Sequence, residues 1–163
     1  MWKVKKSKIH GTGVFATSNI SKNTKIIQYI GEKITKAEGD HRSAERIKNF
    51  LNKKNEGSVY IFELNKKYDI DGSPLYNQAR YINHSCNPNC EVDIINNEIW
   101  ITSIKNIKKG DELSYDYGYV FDVDDYQDHI CKCGSSNCID YIISQDDWEK
   151  YKKHLLKKIK KLK

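Results

Sequence analysis

The sequence predicts a mainly β fold carrying one inserted helix and a second helix at its C-terminal end. Three observations support this. Short runs rich in β-branched and aromatic residues recur along the chain up to residue 115, one interior stretch places its apolar residues at helical spacing, and residues 144–163 open with a capping signal.

In chain order the strand-like runs are 2–5, 14–16, 25–30, 59–64, 68–70, 91–95, 98–104 and 112–115. Asn96-Asn97, between Ile95 and Glu98, reads as a two-residue hairpin turn, because asparagine tolerates the left-handed conformation such turns need. Residues 35–52 set Ala37, Ala44, Ile47 and Leu51 among charges and run into the breaker-like Asn55-Glu56-Gly57, which predicts the inserted helix. The final segment starts Ser144-Gln145-Asp146-Asp147, a cap with an acid at the third position. Trp148, Tyr151, Leu155, Ile159 and Leu162 follow at spacings of three or four.

With 163 residues the chain suits one compact domain with a small appendage. Charged residues at 31% and apolar residues at 38%, with two prolines, exclude a disordered or fibrous chain. No window approaches the roughly 18 to 20 apolar residues of a membrane span, and Met1-Trp2-Lys3-Val4-Lys5-Lys6 lacks a signal-peptide core. The expectation is a reducing, intracellular setting without membrane contact. Of the 28 Lys and Arg residues, eight lysines fall in 150–163, which has no acid; the 20 that remain face 22 acids, so residues 1–149 carry a net charge of −2. The basic end reads either as the solvated face of a docked helix or as a weak nucleic-acid contact, while the acidic body argues against nucleic-acid binding by the whole domain.

Three distant segments carry the chemistry. Residues 7–16, Ser-Lys-Ile-His-Gly-Thr-Gly-Val-Phe-Ala, form a glycine-flanked turn entering a strand, although a lone GxG is a weak signal. Residues 80–90, Arg-Tyr-Ile-Asn-His-Ser-Cys-Asn-Pro-Asn-Cys, are densely polar without strand or helix periodicity. Residues 110–118, Gly-Asp-Glu-Leu-Ser-Tyr-Asp-Tyr-Gly, put Tyr115 and Tyr117 on one face.

Together with Tyr29-Ile30-Gly31-Glu32, these segments resemble the signature of SET-domain protein lysine methyltransferases, in order and spacing, over about residues 3–143. Thr12, Tyr81 and Ser114 are mild departures that touch no reacting group. The resemblance implies a SET fold of several small β-sheets with a knot-like C-terminal threading through the 83–90 loop, a rare exception to unthreaded chains. It implies a SET domain over 1–120, a post-SET zinc segment over 121–143 and a basic amphipathic helix over 144–163. S-adenosylmethionine would be held by His10, Thr12, Gly13, Tyr29, Tyr60, Arg80, Asn83 and His84, with Lys132 and Tyr141 covering it. Asn83 and His84 also read as a satisfied buried polar pair.

The implied activity is methyl transfer to a lysine amine of a protein, a histone tail by preference, in the nucleus or on chromatin. A free lysine has a pKa of about 10.4, so presenting the neutral amine at pH 7 costs roughly 4 to 5 kcal/mol, and a narrow apolar channel offsets this by disfavouring the ammonium. Tyr117 is the expected catalytic hydroxyl, orienting the amine and assisting proton removal. Tyr115 matches the position that tunes methyl number, which implies mainly monomethylation. The alternative is a catalytically silent SET module that binds a basic peptide or scaffold.

Five cysteines in a reducing compartment argue against a disulfide framework. Cys131, Cys133 and Cys138 supply three thiolates, and the resemblance names Cys86 as the fourth ligand of a structural zinc ion. Cys90 is then a spare buried thiol. Asp122, Asp124, Asp125 and Asp128 suit a basic substrate tail or a plain solvated loop equally.

Overall fold

The computed structural model describes residues 1–52 and 60–161, with side chains over 1–48 and 60–160. Among them are ten strands, two α-helices and three short 3-10 turns, in four small sheets. Strand β1 (Trp2–Lys6) pairs antiparallel with β2 (Thr12–Ala16), and β7 (Asn83–His84) pairs parallel with β10 (Ser114–Tyr115). A three-stranded sheet is ordered β3 (Lys25–Tyr29), β9 (Glu98–Ser103), β8 (Cys90–Ile95). The other is ordered β4 (Glu32–Thr35), β6 (Tyr68–Asp71), β5 (Ile61–Glu63). The mainly β expectation is met.

The β8–β9 hairpin turns at Asn96 and Asn97, with φ of 53° and 60°, the left-handed pair that a two-residue turn of type I′ requires. The inserted helix α1 runs Lys36–Asn52, one residue later than expected at its start. The breaker at Asn55-Glu56-Gly57 and the start of the run at 59–64 lie outside the described residues. Strand β4 was not predicted, since only Ile34 of its four residues is buried and no alternation shows. The two-residue β7 is too short for any pattern.

Ile20, Ile27, Val14, Ala79, Ile82, Ile99, Ile101 and Leu113 form the main core between the sheets. A second cluster gathers Tyr126, Ile143 and Tyr151, with Phe121, Tyr141, Trp148 and Leu155 packed on it. It docks the C-terminal helix α2 (Trp148–Lys161). Ser144 accepts a hydrogen bond from Asp146 N at 3.4 Å, as its capping role predicts, but the turn it caps is the 3-10 turn Gln145–Asp147 that leads into α2. The apolar stripe is used only in part: Trp148, Tyr151 and Leu155 pack, whereas Ile159 is exposed and Leu162 lies outside the described residues.

Central strand β6 reverses the usual alternation, burying Asp69 and Asp71. Both acids face cations of α1. Lys36 reaches Asp69 Oδ1 at 2.6 Å, Arg42 reaches Asp71 Oδ2 at 2.9 Å, and Arg46 binds both Asp71 oxygens at 2.7 and 3.0 Å. Burial alone would raise the Asp71 carboxyl; hydrogen bonds from Arg46, Arg42 and Ser73 overcome it and hold the group well below the usual carboxylate range. A carboxyl depressed in the fold stabilises it at every pH above its unfolded value and loses that contribution progressively as pH falls from the unfolded value through the folded one. Asp71→Asn is expected to cost about 2 to 3 kcal/mol in urea unfolding at pH 7. The deficit should persist at pH 5, begin to narrow as pH falls through the ordinary carboxylate range and be lost only well below it.

Candidate active site and metal centre

Strand β2 begins at a turn that one carboxylate organises. Ser7 Oγ donates to Glu112 at 2.7 and 2.9 Å, and Asn83 Nδ2 lies 2.7 Å from Glu112 Oε1, 3.1 Å from Thr12 O and 3.3 Å from His10 O. A Cβ added at Gly13 would run into Glu112 Oε1, so glycine is required there for close approach rather than for flexibility. The His10 and Thr12 carbonyls thus meet Asn83, and Asn83, Ser7 and Gly13 meet one acid, Glu112, which sequence reasoning did not single out. Nothing in a local pattern shows that its partners lie 29 to 105 residues away.

Asn83 and His84 are both buried and satisfied, though not by each other. His84 Nδ1 accepts from Tyr117 N at 3.2 Å, which fixes the chain entering Tyr117. Burial lowers the His84 pKa against the opposing pull of Asp116, so the ring is neutral and its acceptor available at pH 7.

An aromatic row runs through the site. Ring centroids lie 4.4 Å apart for Tyr29–Phe62, 5.9 Å for Phe62–Tyr115, 5.1 Å for Tyr115–Tyr117 and 5.9 Å for Tyr117–Tyr119. Tyr119 was not predicted, although continuing the alternation of Tyr115 and Tyr117 by two residues reaches it. Burial raises the pKa of Tyr115, Tyr117 and Tyr119, and each is raised further by neighbouring phenols. All three are neutral at pH 7. Tyr117 Oη donates to Ile82 O at 3.0 Å, so its proton is committed and its lone pairs act as acceptors.

Tyr29 Oη donates to Tyr60 O at 2.8 Å, tying two predicted cofactor residues together. A Cβ at Gly72 would collide with that same Tyr29 ring. Arg80 stacks on Tyr60, its guanidinium 4.1 Å from the ring centroid, and donates through Nη1 to Ser73 O. Its Nε is buried without a partner among the described residues, a donor to spare for an anionic ligand group. Lys132 is exposed between Cys131 and Cys133. Tyr141 bridges to Ile130 and packs on Tyr126, with ring centroids 4.9 Å apart, as part of the second cluster rather than the aromatic row.

The Sγ atoms of Cys86, Cys131, Cys133 and Cys138 lie within 4.8 Å of one another, and Cys86 is 3.8 Å from both Cys131 and Cys138. Four thiolates at about 2.3 Å from a tetrahedral metal stand about 3.8 Å apart, whereas a disulfide needs about 2 Å. The cluster could hold a metal ion. Burial would raise the Cys133 thiol, but hydrogen bonds from Ser135 and from backbone amides hold it down at about 6. Cys90 is a free, buried thiol pushed up to about 12 by burial, outside the cluster as expected. Two amides close the other side: Asn137 Nδ2 and Gln145 Nε2 both donate to Cys86 O, at 3.1 and 3.0 Å.

Residues 11–118 match the profile of the SET domain. The chain belongs to the SET-domain family. It is 41% identical over 138 residues to Histone-lysine N-methyltransferase trr of Drosophila melanogaster, a match covering 82% of this chain and 5% of that protein. It is 37% identical over 137 residues to human Histone-lysine N-methyltransferase 2D, covering 82% and 2%. An Aspergillus oryzae protein named Histone-lysine N-methyltransferase, H3 lysine-4 specific, is 36% identical over 137 residues, covering 82% and 11%. The chain thus spans a small part of the length of these relatives.

Cys86→Ser removes one of four donors. It is expected to lower bound metal by elemental analysis and to speed amide exchange in 131–145 while the β3–β9–β8 sheet keeps its protection.

Proposed function

We propose that the chain is a protein-lysine N-methyltransferase that uses S-adenosylmethionine to modify a histone tail, mainly by monomethylation, in the nucleus or on chromatin. The observation that carries this reading is the neutral, half-buried Tyr117 phenol, its proton given to Ile82 O, beside Tyr115 and the Asn83–Glu112 turn. The names of the relatives support the histone substrate. Among the described residues no helix is long and apolar enough to cross a membrane.

The cofactor supplies an electrophilic methyl group on a sulfonium. His10, Thr12, Gly13, Tyr29, Tyr60, Arg80, Asn83 and His84 would hold it, and the spare Arg80 Nε would take an anionic group. Lys132 and Tyr141 would flank it from the C-terminal side. The phenols Tyr115, Tyr117 and Tyr119, desolvated by burial, present a face that disfavours an ammonium, so the substrate lysine gives its proton to solvent before it is seated. Tyr117 can only accept from the amine N–H, which aims the nitrogen lone pair elsewhere. Its raised pKa makes positioning, not proton acceptance, its contribution. Cys86, Cys131, Cys133 and Cys138 would hold structural zinc, fastening the 121–143 segment to the loop beside His84.

Tyr117→Phe is expected to lower methylation of a basic tail peptide at least ~100-fold while cofactor affinity, by calorimetry, changes less than ~3-fold. Tyr115→Phe removes the hydroxyl that crowds the amine. Mass spectrometry should then show a shift from monomethyl toward dimethyl and trimethyl product. Efficient trimethylation by the unaltered chain would sink the product assignment.

A further inference from the structure

Helix α2 leaves its cations on the outside. Trp148, Tyr151 and Leu155 are packed into the second cluster, while Lys152, Lys153, Lys157, Lys158 and Lys160 are exposed. Lys150 pairs with Asp147 and Lys152 with Glu149, each at its own turn. Among the described residues no carboxylate lies within 4.0 Å of Lys153, Lys157, Lys158 or Lys160. Lys157, Lys158 and Lys160 line an open cleft of about 560 Å³ with His154, Gln127 and Tyr126. None of the acids at 122, 124, 125 and 128 lines that cleft, and Asp125 turns instead to His129 at 3.9 Å.

We propose that this cleft, extended by Lys153, grips the phosphate backbone of duplex DNA and so directs the chain to tails displayed on DNA-wrapped histones. The substrate half of the proposal rests on the function proposed above; the binding half does not. Lys153, Lys157 and Lys160 fall at i, i+4 and i+7, one stripe of the helix, where like charges repel by tenths of a kcal/mol per pair. The helix dipole favours cations only in the final turn, so it does not account for Lys153 or Lys157. A polyanion relieves the repulsion. The stripe places its lysines about 4.5 to 6 Å apart, against one phosphate per about 3.4 Å along each strand, so neighbouring lysines can reach separate phosphates.

A lipid surface is the competing polyanion, and the packing disfavours it. An interfacial helix inserts a broad apolar face, but here that face is buried in the chain itself, leaving Leu156 and Ile159 exposed. The net charge of −2 over residues 1–149 confines the attraction to α2 and leaves the aromatic row to a basic peptide.

The test combines a salt series with a fourfold variant, Lys153→Gln, Lys157→Gln, Lys158→Gln and Lys160→Gln, which keeps helix propensity and chain shape. The 163-residue chain should bind a fluorescent DNA duplex with affinity falling steeply between ~50 and ~200 mM salt. The variant should bind at least ~10-fold more weakly, with a log–log slope shallower by about 3 to 4, since each phosphate left without its lysine lowers the slope by about 0.9. Its helicity and its methylation of a free tail peptide should not change, while methylation of nucleosomes falls about 10-fold in kcat/KM. Equal DNA binding by variant and parent, a salt-independent signal, or binding to vesicles of anionic phospholipid without DNA binding would each overturn the proposal. An inactive chain that still shows the DNA result would refute the methyltransferase reading and leave the DNA site standing.

Discussion

The site depends on a parallel pairing only two residues long, Asn83–His84 of β7 against Ser114–Tyr115 of β10. So short a ladder cannot hold itself, and side chains complete it. Asn89 donates to Glu112 O at 2.8 Å and accepts from Ser114 N at 2.9 Å, and Ser85 N and Asn89 N reach the carbonyls of Tyr115 and Ser114. Asn83 extends the same junction to Glu112 and so to the 7–13 turn. Three parts of the candidate site hang on this seam: the turn on one side, the phenols at the end of β10 and the cysteine cluster just past β7.

Pre-organisation follows from how many independent parts meet there. The Tyr117 backbone is fixed by His84 and its hydroxyl by Ile82, so the phenol has little freedom left to lose when a substrate arrives. The salt-bridge layer between α1 and β6 adds a second support. Asp71 binds Arg42 and Arg46, Arg46 reaches Ser73 Oγ at 3.0 Å, and Ser73 O accepts from Arg80, which stacks on Tyr60. The inserted helix therefore bears on the far wall of the site through a chain of charged contacts. The four cysteines gather where the C-terminal segment meets the residues just past β7, beside a second cluster that is small.

Polarity is divided as cleanly as the architecture. Neutral phenols line the row from Tyr115 to Tyr119, and lysines are kept to the outer face of a helix whose apolar side is already occupied. The SET-domain match covers residues 11–118 and so takes in the phenols, while α2 lies beyond it.

The sequence by itself determined the strand-rich body, the Asn96-Asn97 turn and both helices, because each is signalled by residues close together in the chain; the candidate site residues came from the likeness of distant segments, taken together, to a family signature. Tyr119 was also legible there, two positions beyond Tyr117 in the same alternation. Tertiary structure alone decided the rest. It made Glu112 the hub of the 7–13 turn, turned the acids of β6 inward to meet α1, supplied Asn83 and His84 with separate partners and left Ile159 exposed where the helix outruns its cluster. A local pattern records which face a residue takes, but what waits on that face is set by segments up to a hundred residues distant, and only folding brings them within a hydrogen bond's length.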